Sequence, residues 1–241
     1  MGAPHKVKLR KCEAVAERTM AFQFEKPPDF HFKAGQSIRV ILIDPPETDA
    51  EGNARTFSLV SAPFETGLVI ATRMRDTAFK RVLQSLPPGS AVKIEGPDGV
   101  MTLHDDPSRP AAFLAGGIGI TPFVSMLRQA AKDRLPHRLY LFYSNRRPED
   151  AAFLEELQHL ANDNRNYRFI GTMTGMEKSR RAWEGETGFI DGNMLARHIG
   201  DMVAPIYYMA GPPAMAFAMQ EMLHGAAVSD DAIRSEEFYG Y

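Results

Sequence analysis

The sequence predicts a two-domain fold, an N-terminal antiparallel β-barrel over residues 1–107 followed by a C-terminal α/β domain with a parallel sheet over residues 108–241. Three observations carry this. Short β-like runs broken by Pro-Pro, Pro-Gly and Asp-Gly turns fill the first hundred or so residues, the spacing of a barrel or sandwich. A polar stretch, His104-Asp105-Asp106-Pro107-Ser108-Arg109-Pro110, then separates that part from the rest. Beyond it apolar strands alternate with amphipathic helices, the grammar of a parallel sheet covered on both faces.

In order, the barrel runs begin near Val7 and include 37–43, 56–60, 68–72 and 91–94. One helix, 77–86, interrupts them. Phe79, Val82, Leu83 and Leu86 recur at helical spacing there, and Pro87-Pro88-Gly89 ends it. In the second part the strands are 111–115, 138–143, 167–172 and 206–210, with helices over 122–134, 148–162 and 193–199. A last helix, 213–224, precedes the tail. Neither an internal repeat nor a low-complexity tract is present.

Composition narrows the function. With 44% hydrophobic and 24% charged residues the 241-residue chain is that of a folded globular protein. A formal net charge of −2 gives no basic footprint, so nucleic acid is not an expected partner. Cys12 is the single cysteine, which excludes an intrachain disulfide and a cluster held by four thiolates. Any iron–sulfur relay therefore belongs to another protein. The first residues run straight into charge without an apolar signal region, and Lys6 breaks a myristoylation pattern. The apolar stretch 111–127 is too short to span a bilayer and holds Gly116, Gly117, Gly119 and Pro122. The expectation is a cytoplasmic protein with no membrane association.

Two segments carry chemistry. Ala115-Gly116-Gly117-Ile118-Gly119-Ile120-Thr121-Pro122 is a glycine-rich turn between a buried strand and a helix. Glycines let backbone N–H groups approach a phosphate, Thr121 suits a cap, Pro122 suits the first turn, and the helix N-terminus favours negative charge. That is a cradle for a dinucleotide pyrophosphate, although glycines at a tight turn also serve close packing alone. In the barrel part, Arg55-Thr56-Phe57-Ser58 gathers a cation, an aromatic plane and two hydroxyls. Alternation places Arg55, Phe57 and Leu59 on one face and Thr56, Ser58 and Val60 on the other. An arginine fork fits phosphate and an aromatic plane fits a flavin ring, while the same pattern also fits an ordinary amphipathic strand.

The ordered set Arg55-Thr56-Phe57-Ser58, Glu95-Gly96-Pro97-Asp98-Gly99, Gly116-Gly117-Ile118-Gly119-Ile120-Thr121-Pro122, Tyr143-Ser144-Asn145-Arg146 and Ala210-Gly211-Pro212-Pro213 resembles the ferredoxin–NADP⁺ reductase superfamily, across almost the whole chain. The resemblance implies a flavin-binding barrel before an NAD(P)-binding domain. It also implies hydride transfer between NAD(P)H and bound FAD, FMN being the lesser alternative, and electron delivery to a separate acceptor such as a ferredoxin, a flavodoxin, an oxygenase component or a small molecule. A reductase component of a larger complex and a non-catalytic nucleotide-binding module are the alternatives.

By that resemblance Arg55 binds flavin phosphate, Phe57 replaces the tyrosine on the isoalloxazine, and Ser58 lies near N5. Thr56, Thr72 and Arg73 line the flavin, and Lys80 stands where the family has a phosphate-binding serine. Gly116, Gly117, Gly119, Thr121 and Pro122 hold the pyrophosphate, while Gly211 and Pro212 flank the nicotinamide. The cysteine usual before that Gly-Pro is Ala210. In the tail, Phe238 or Tyr241 would cover the flavin, with Glu236 or Glu237 near the nicotinamide, so Ser58, Glu237 and Phe238 form the expected catalytic set. Ser144 and Arg146, with Arg147 beside it, suit a 2′-phosphate, whereas Glu149 and Asp150 suit a bare 2′-hydroxyl. The seven histidines are scattered, surface or capping roles are expected for them, and no metal is expected. Met215, Met219 and Met222 form a helical stripe read as core filling.

Overall fold

In the computed structural model, which describes residues 4–237 apart from the side chains of Asp163 and Glu237, the first strand shows its alternation residue by residue. Val7 and Leu9 are buried while Lys6, Lys8 and Arg10 face solvent. This strand, β1 (His5–Ala16), turns at Arg18, left-handed with φ 56°, into β2 (Thr19–Glu25). Beyond Leu9 the charges and partial burial of β1 blur the period, which is why the sequence did not separate the two strands.

β3 (Ser37–Leu42), β4 (Ala54–Ser58), β5 (Gly67–Arg73) and β6 (Ala91–Asp98) join them in an antiparallel sheet of order β4-β3-β6-β1-β2-β5. Its ends meet. Leu59 bridges Ile70, and the Val60 N–H donates to the Val69 carbonyl at 2.8 Å, so the sheet curls onto itself as the barrel spacing predicts. Phe22, Phe24, Ile38, Val40, Leu68 and Ile94 fill the interior, and helix α1 (Ala78–Ser85) adds Phe79, Val82 and Leu83. Thr77 caps α1 by accepting the Lys80 N–H at 3.4 Å.

The second sheet is parallel throughout, in the order β10-β9-β8-β7-β11-β12. Its strands are β7 (Ala111–Gly116), β8 (Leu139–Asn145), β9 (Tyr167–Met173), β10 (Glu186–Thr187), β11 (Ile206–Gly211) and β12 (Ile233–Glu237). The central strands β7 and β11 are buried at every residue, as a sheet covered on both faces requires. One face packs on α2 (Thr121–Asp133) and α3 (Leu154–Asp163), the other on α4 (Gly192–Ile199) and α5 (Pro213–Gly225). Met219 lies in the second core, with Met215 and Met222 packed against it.

Three expectations change. The helix predicted over 148–162 is interrupted: Pro148–Asp150 forms a single 3-10 turn, Phe153 is left-handed at φ 59°, and α3 starts at Leu154. Here Asp150 turns back to grip the Arg147 guanidinium through two 2.9 Å bonds, a local pairing that competes with helix propagation. The first part of the predicted tail is not free, because 233–237 pairs as β12 with β11, from Tyr207 opposite Ile233 to Gly211 opposite Glu237. And two histidines are core residues. The Tyr208 hydroxyl meets both the His104 N–H (2.8 Å) and Nδ1 (2.9 Å), while His104 Nε2 faces the Arg109 carbonyl at 3.0 Å. His137 Nε2 faces the His104 carbonyl, also at 3.0 Å. Arg234 lies over the Tyr208 ring and donates to the Thr102 carbonyl at 2.6 Å. This cluster fixes residues 102–109, which join the two sheets, to β11 and β12.

Barrel and parallel sheet also share apolar packing. Ala21, Val60 and Ala71 belong to the same core as Phe113, Phe123 and Leu127. Within it Ser125, wholly buried, donates to the Ser61 carbonyl at 2.7 Å. Arg128 reaches Glu65 at 3.3 Å and Glu156 at 2.6 Å. Among the described residues no helix is long and apolar enough to cross a membrane.

Candidate functional site

The glycine-rich turn sits at the carboxyl end of the parallel sheet, where β7 stops. Gly116 pairs with Ser144 of β8, and Gly211 of β11 lies against the Gly116 backbone, since a Cβ on Gly211 would fall 3.2 Å from the Gly116 nitrogen. From Gly117, φ 52°, to Ile120 the chain makes one 3-10 turn before α2 begins at Thr121. Two of the glycines are there for contact. A Cβ on Gly119 would lie 2.2 Å from the Ala210 carbonyl oxygen, and one on Gly116 would lie 2.4 Å from Met215 Sδ. Thr121 is buried and donates its hydroxyl to the Ile118 carbonyl at 3.1 Å, which holds the 3-10 turn. It therefore opens α2 without capping it by side chain, contrary to expectation; Pro122 occupies the first turn as expected. No acidic residue stands in that turn, so the positive end of α2 is left for an anion.

In the barrel, Arg55 and Phe57 do share a face, and both lie against Phe79 of α1. The Arg55 guanidinium carbon is 5.2 Å from that ring and the Phe57 ring 5.9 Å. Lys80, one turn into α1, donates to the Arg73 carbonyl at 2.8 Å. Burial, with Arg75 and Arg55 nearby, lowers its pKa to about 8. A half-buried ammonium beside Arg55 and Arg75 is a donor set that fits a phosphate. Thr56 is exposed, and Thr72 is buried with its hydroxyl directed at the Arg73 carbonyl at 3.5 Å. Arg73 departs from its expected role. Its side chain leaves the barrel face and Nη2 donates to the Asp150 carbonyl at 3.4 Å, because alternation along β5 points Val69, Ala71 and Arg73 at the α/β part.

Ser58 is buried on the opposite face from Phe57 and lies beside the carboxyl of Glu236 on β12. Burial raises the Glu236 pKa, Ser58 opposes that, and one carboxyl oxygen has no partner among the described residues. Register sets Glu236 beside Ala210, in the row that precedes Gly211. Sequence reasoning named Glu236 only as an alternative to Glu237; the side chain of Glu237, with Phe238 and Tyr241, lies outside the described residues.

At the far end of the row, Ser144 is half-buried and Arg146 exposed without an ion pair among the described residues. Its neighbours are committed elsewhere. Arg147 pairs with Asp150 at 2.9 Å and with Glu17 of the β1–β2 turn at 3.2 Å. Glu149 accepts the Arg180 N–H at 2.7 Å and the Ser179 hydroxyl at 3.0 Å. No group of three or more His, Cys, Asp or Glu side chains suited to a metal ion occurs among the described residues.

Comparison with known proteins places residues 113–221 in the oxidoreductase NAD-binding domain family. The chain is 27% identical over 226 residues to the glycine betaine monooxygenase reductase subunit of Pseudomonas aeruginosa, covering 92% of this chain but 60% of that protein. It is 28% identical to ferredoxin–NADP reductase B of Sorangium cellulosum, covering 86% and 85% of the two. In structure it is similar to a ferredoxin NADP⁺ reductase from Neisseria gonorrhoeae solved with bound FAD and NADP, with a TM-score of 0.82 at 19% identity over 98% and 99% of the two chains.

Proposed function

We propose that this chain is a member of the ferredoxin–NADP⁺ reductase superfamily, an NAD(P)H-dependent flavoprotein reductase that delivers electrons to a separate acceptor. One observation carries the reading: Ser58 of the barrel and Glu236 of the parallel sheet, far apart in sequence, come together beside the glycine-rich edge. A bound FAD would supply the redox chemistry, taking hydride from the nicotinamide.

The protein holds and orients. Arg55, Lys80 and the first amides of α1 receive flavin phosphate, and Phe57 supports the ring system. The amides of 116–119 and the start of α2 receive the dinucleotide pyrophosphate, with Gly211 and Pro212 beside the nicotinamide. Ser58 and Glu236, whose carboxyl pKa burial raises, then stand at the point of transfer. Phe238 and Tyr241 would cover the flavin. Arg146 and Ser144 favour NADPH, since Glu149 and Asp150 are spent on neighbouring groups. The division at 107/108 and a cytoplasmic location complete the reading. The chain spans about 60% of the length of the glycine betaine monooxygenase reductase subunits it matches.

The test is the visible spectrum of purified protein before and after anaerobic NADPH or NADH. A flavin spectrum that bleaches, faster with NADPH, is expected. Protein that stays colourless after reconstitution with FAD and FMN overturns the proposal in favour of a dinucleotide-binding module.

A further inference from the structure

The phosphate cradle of the barrel is filled by the protein's own carboxylates. The loop 43–53 between β3 and β4 carries four acids, Asp44, Glu47, Asp49 and Glu51. Two of them are seated on this site, and a third pairs with an arginine of α1 nearby. Asp49 Oδ1 lies 2.5 Å from Arg55 Nη2, and Asp49 stands by the first turn of α1, where Phe79 helps to lower its pKa. Glu51 Oε2 is 2.9 Å from Arg55 Nε. Glu47 receives both arms of Arg81 on α1, at 2.9 and 2.5 Å. A guanidinium fork beside the N-terminal turn of a helix is the donor set a phosphate uses, and here the Asp49 and Glu51 carboxylates share the two arms of the fork.

The loop is folded to hold that pose. Asp49 Oδ1 also accepts the Glu51 N–H at 3.1 Å, and the Gly52 N–H donates to the Asp49 carbonyl at 2.9 Å. Asn53 Nδ2 anchors the loop base to the Leu42 carbonyl at 2.8 Å. Arg55 Nη1 is shared among the carbonyls of Glu51, Gly52 and Ala54. The outer part is built to yield, however. Glu51 is 77% exposed and Glu47 42%, and ion pairs in that much water are weak.

We propose that loop 43–53 is an internal anion, whose Asp49 and Glu51 carboxylates occupy the phosphate cradle of the flavin-free protein and are displaced by the phosphate of the incoming flavin. The inference rests on the flavin reading above. It makes flavin uptake a competition: observed affinity is the intrinsic affinity reduced by the fraction of protein with an open cradle. Removing a competing charge therefore tightens binding of any flavin that carries phosphate, and leaves one without phosphate unaffected.

Flavin-stripped protein titrated with FAD, FMN and riboflavin, followed by quenching of flavin fluorescence, decides this. Asp49→Asn and Glu51→Gln are each expected to bind FAD and FMN about five-fold more tightly than wild type, with riboflavin unchanged. Glu51 is on the surface, so E51Q keeps the test alive if D49N fails to fold, as judged by its urea midpoint. FAD affinity that falls or stays the same in both variants, with wild type binding FAD, overturns the plug and leaves the reductase reading intact. A wild type that takes up no flavin overturns both.

Discussion

Gly119→Ala isolates the closest backbone approach in the candidate site. The added methyl would stand 2.2 Å from the Ala210 carbonyl oxygen and 2.7 Å from the Gly211 nitrogen, against 3.4 Å or more in ordinary contact. Both obstacles are backbone atoms of β11, hydrogen-bonded on both sides, so no side chain can swing aside. Relief requires the 117–120 turn to withdraw by about 1 Å from the sheet. Overpacking of a rigid interior costs roughly 1–3 kcal/mol, and lost contact under Gly211 adds to it, giving about 3 kcal/mol. With a urea dependence of about 1–3 kcal/mol per molar, the midpoint should fall by roughly 1 M or more. Trp183 is the single tryptophan, and its ring lies against Gly171 of β9, so its fluorescence reports the parallel-sheet half. Gly188→Ala is the comparator. Gly188 has φ 88° with nothing within 4 Å, so only backbone strain of about 1–2 kcal/mol applies. The reasoning is refuted if G119A unfolds at the wild-type midpoint or loses less than G188A.

Two pH dependences follow from the same structure. Burial is the main cause of a His104 pKa below its ordinary 6.5; the unfolded chain then takes up a proton that the native state refuses. Stability contributed by neutral His104 is full above pH 6.5 and drains away as pH falls below it, so thermal midpoints should drop less steeply between pH 7 and 5 in His104→Gln than in wild type; identical slopes would falsify the assignment. Lys80, with its pKa near 8 from burial and then from Arg75 and Arg55, is charged below that pH. Bound phosphate raises its pKa further, so FAD affinity is full below pH 8 and weakens as pH climbs through it. Lys80→Arg, charged throughout, should show a flatter profile, and parallel curves for the two proteins would remove Lys80 from the phosphate site.

Much of this was legible in the chain because it depends on short-range rules. The buried strands β7, β8, β9 and β11 announce themselves as apolar runs, α1 by Thr77 and its helical spacing, and the edge turn by its glycines. What escaped depends on partners distant in sequence. β12 carries Ser-Glu-Glu, which no strand propensity favours, and is a strand only because β11 offers an edge. Whether Glu236 or Glu237 faces Ser58 is a question of register, which a period of two leaves undecided until the pairing is known. Arg73 follows the same logic: its neighbours read as a flavin lining, but its face of β5 belongs to the packing against α2. The break before α3 needed the Arg147–Asp150 pair, invisible in helix periodicity. His104 and His137 looked like surface residues because a polar linker hid the tyrosine that buries them.

The apolar seam between the barrel and α2 bears on how such a chain can be recombined. Ala21, Val60 and Ala71 are lodged in the same packed interior as Phe113 and Phe123, and Ser125 is roped to Ser61 inside it. Neither half is therefore a free-standing cassette. A hybrid that exchanged the nucleotide-binding half for one of different coenzyme preference would have to import a matching α2 surface, small where Ala21 and Ala71 press and hydroxylated at position 125. Without it the splice would either expose apolar surface on both halves or, if the seam closed, leave the Ser61 carbonyl without its Ser125 donor. Coenzyme specificity in this scaffold is more safely rewritten at the sheet edge than by swapping whole modules.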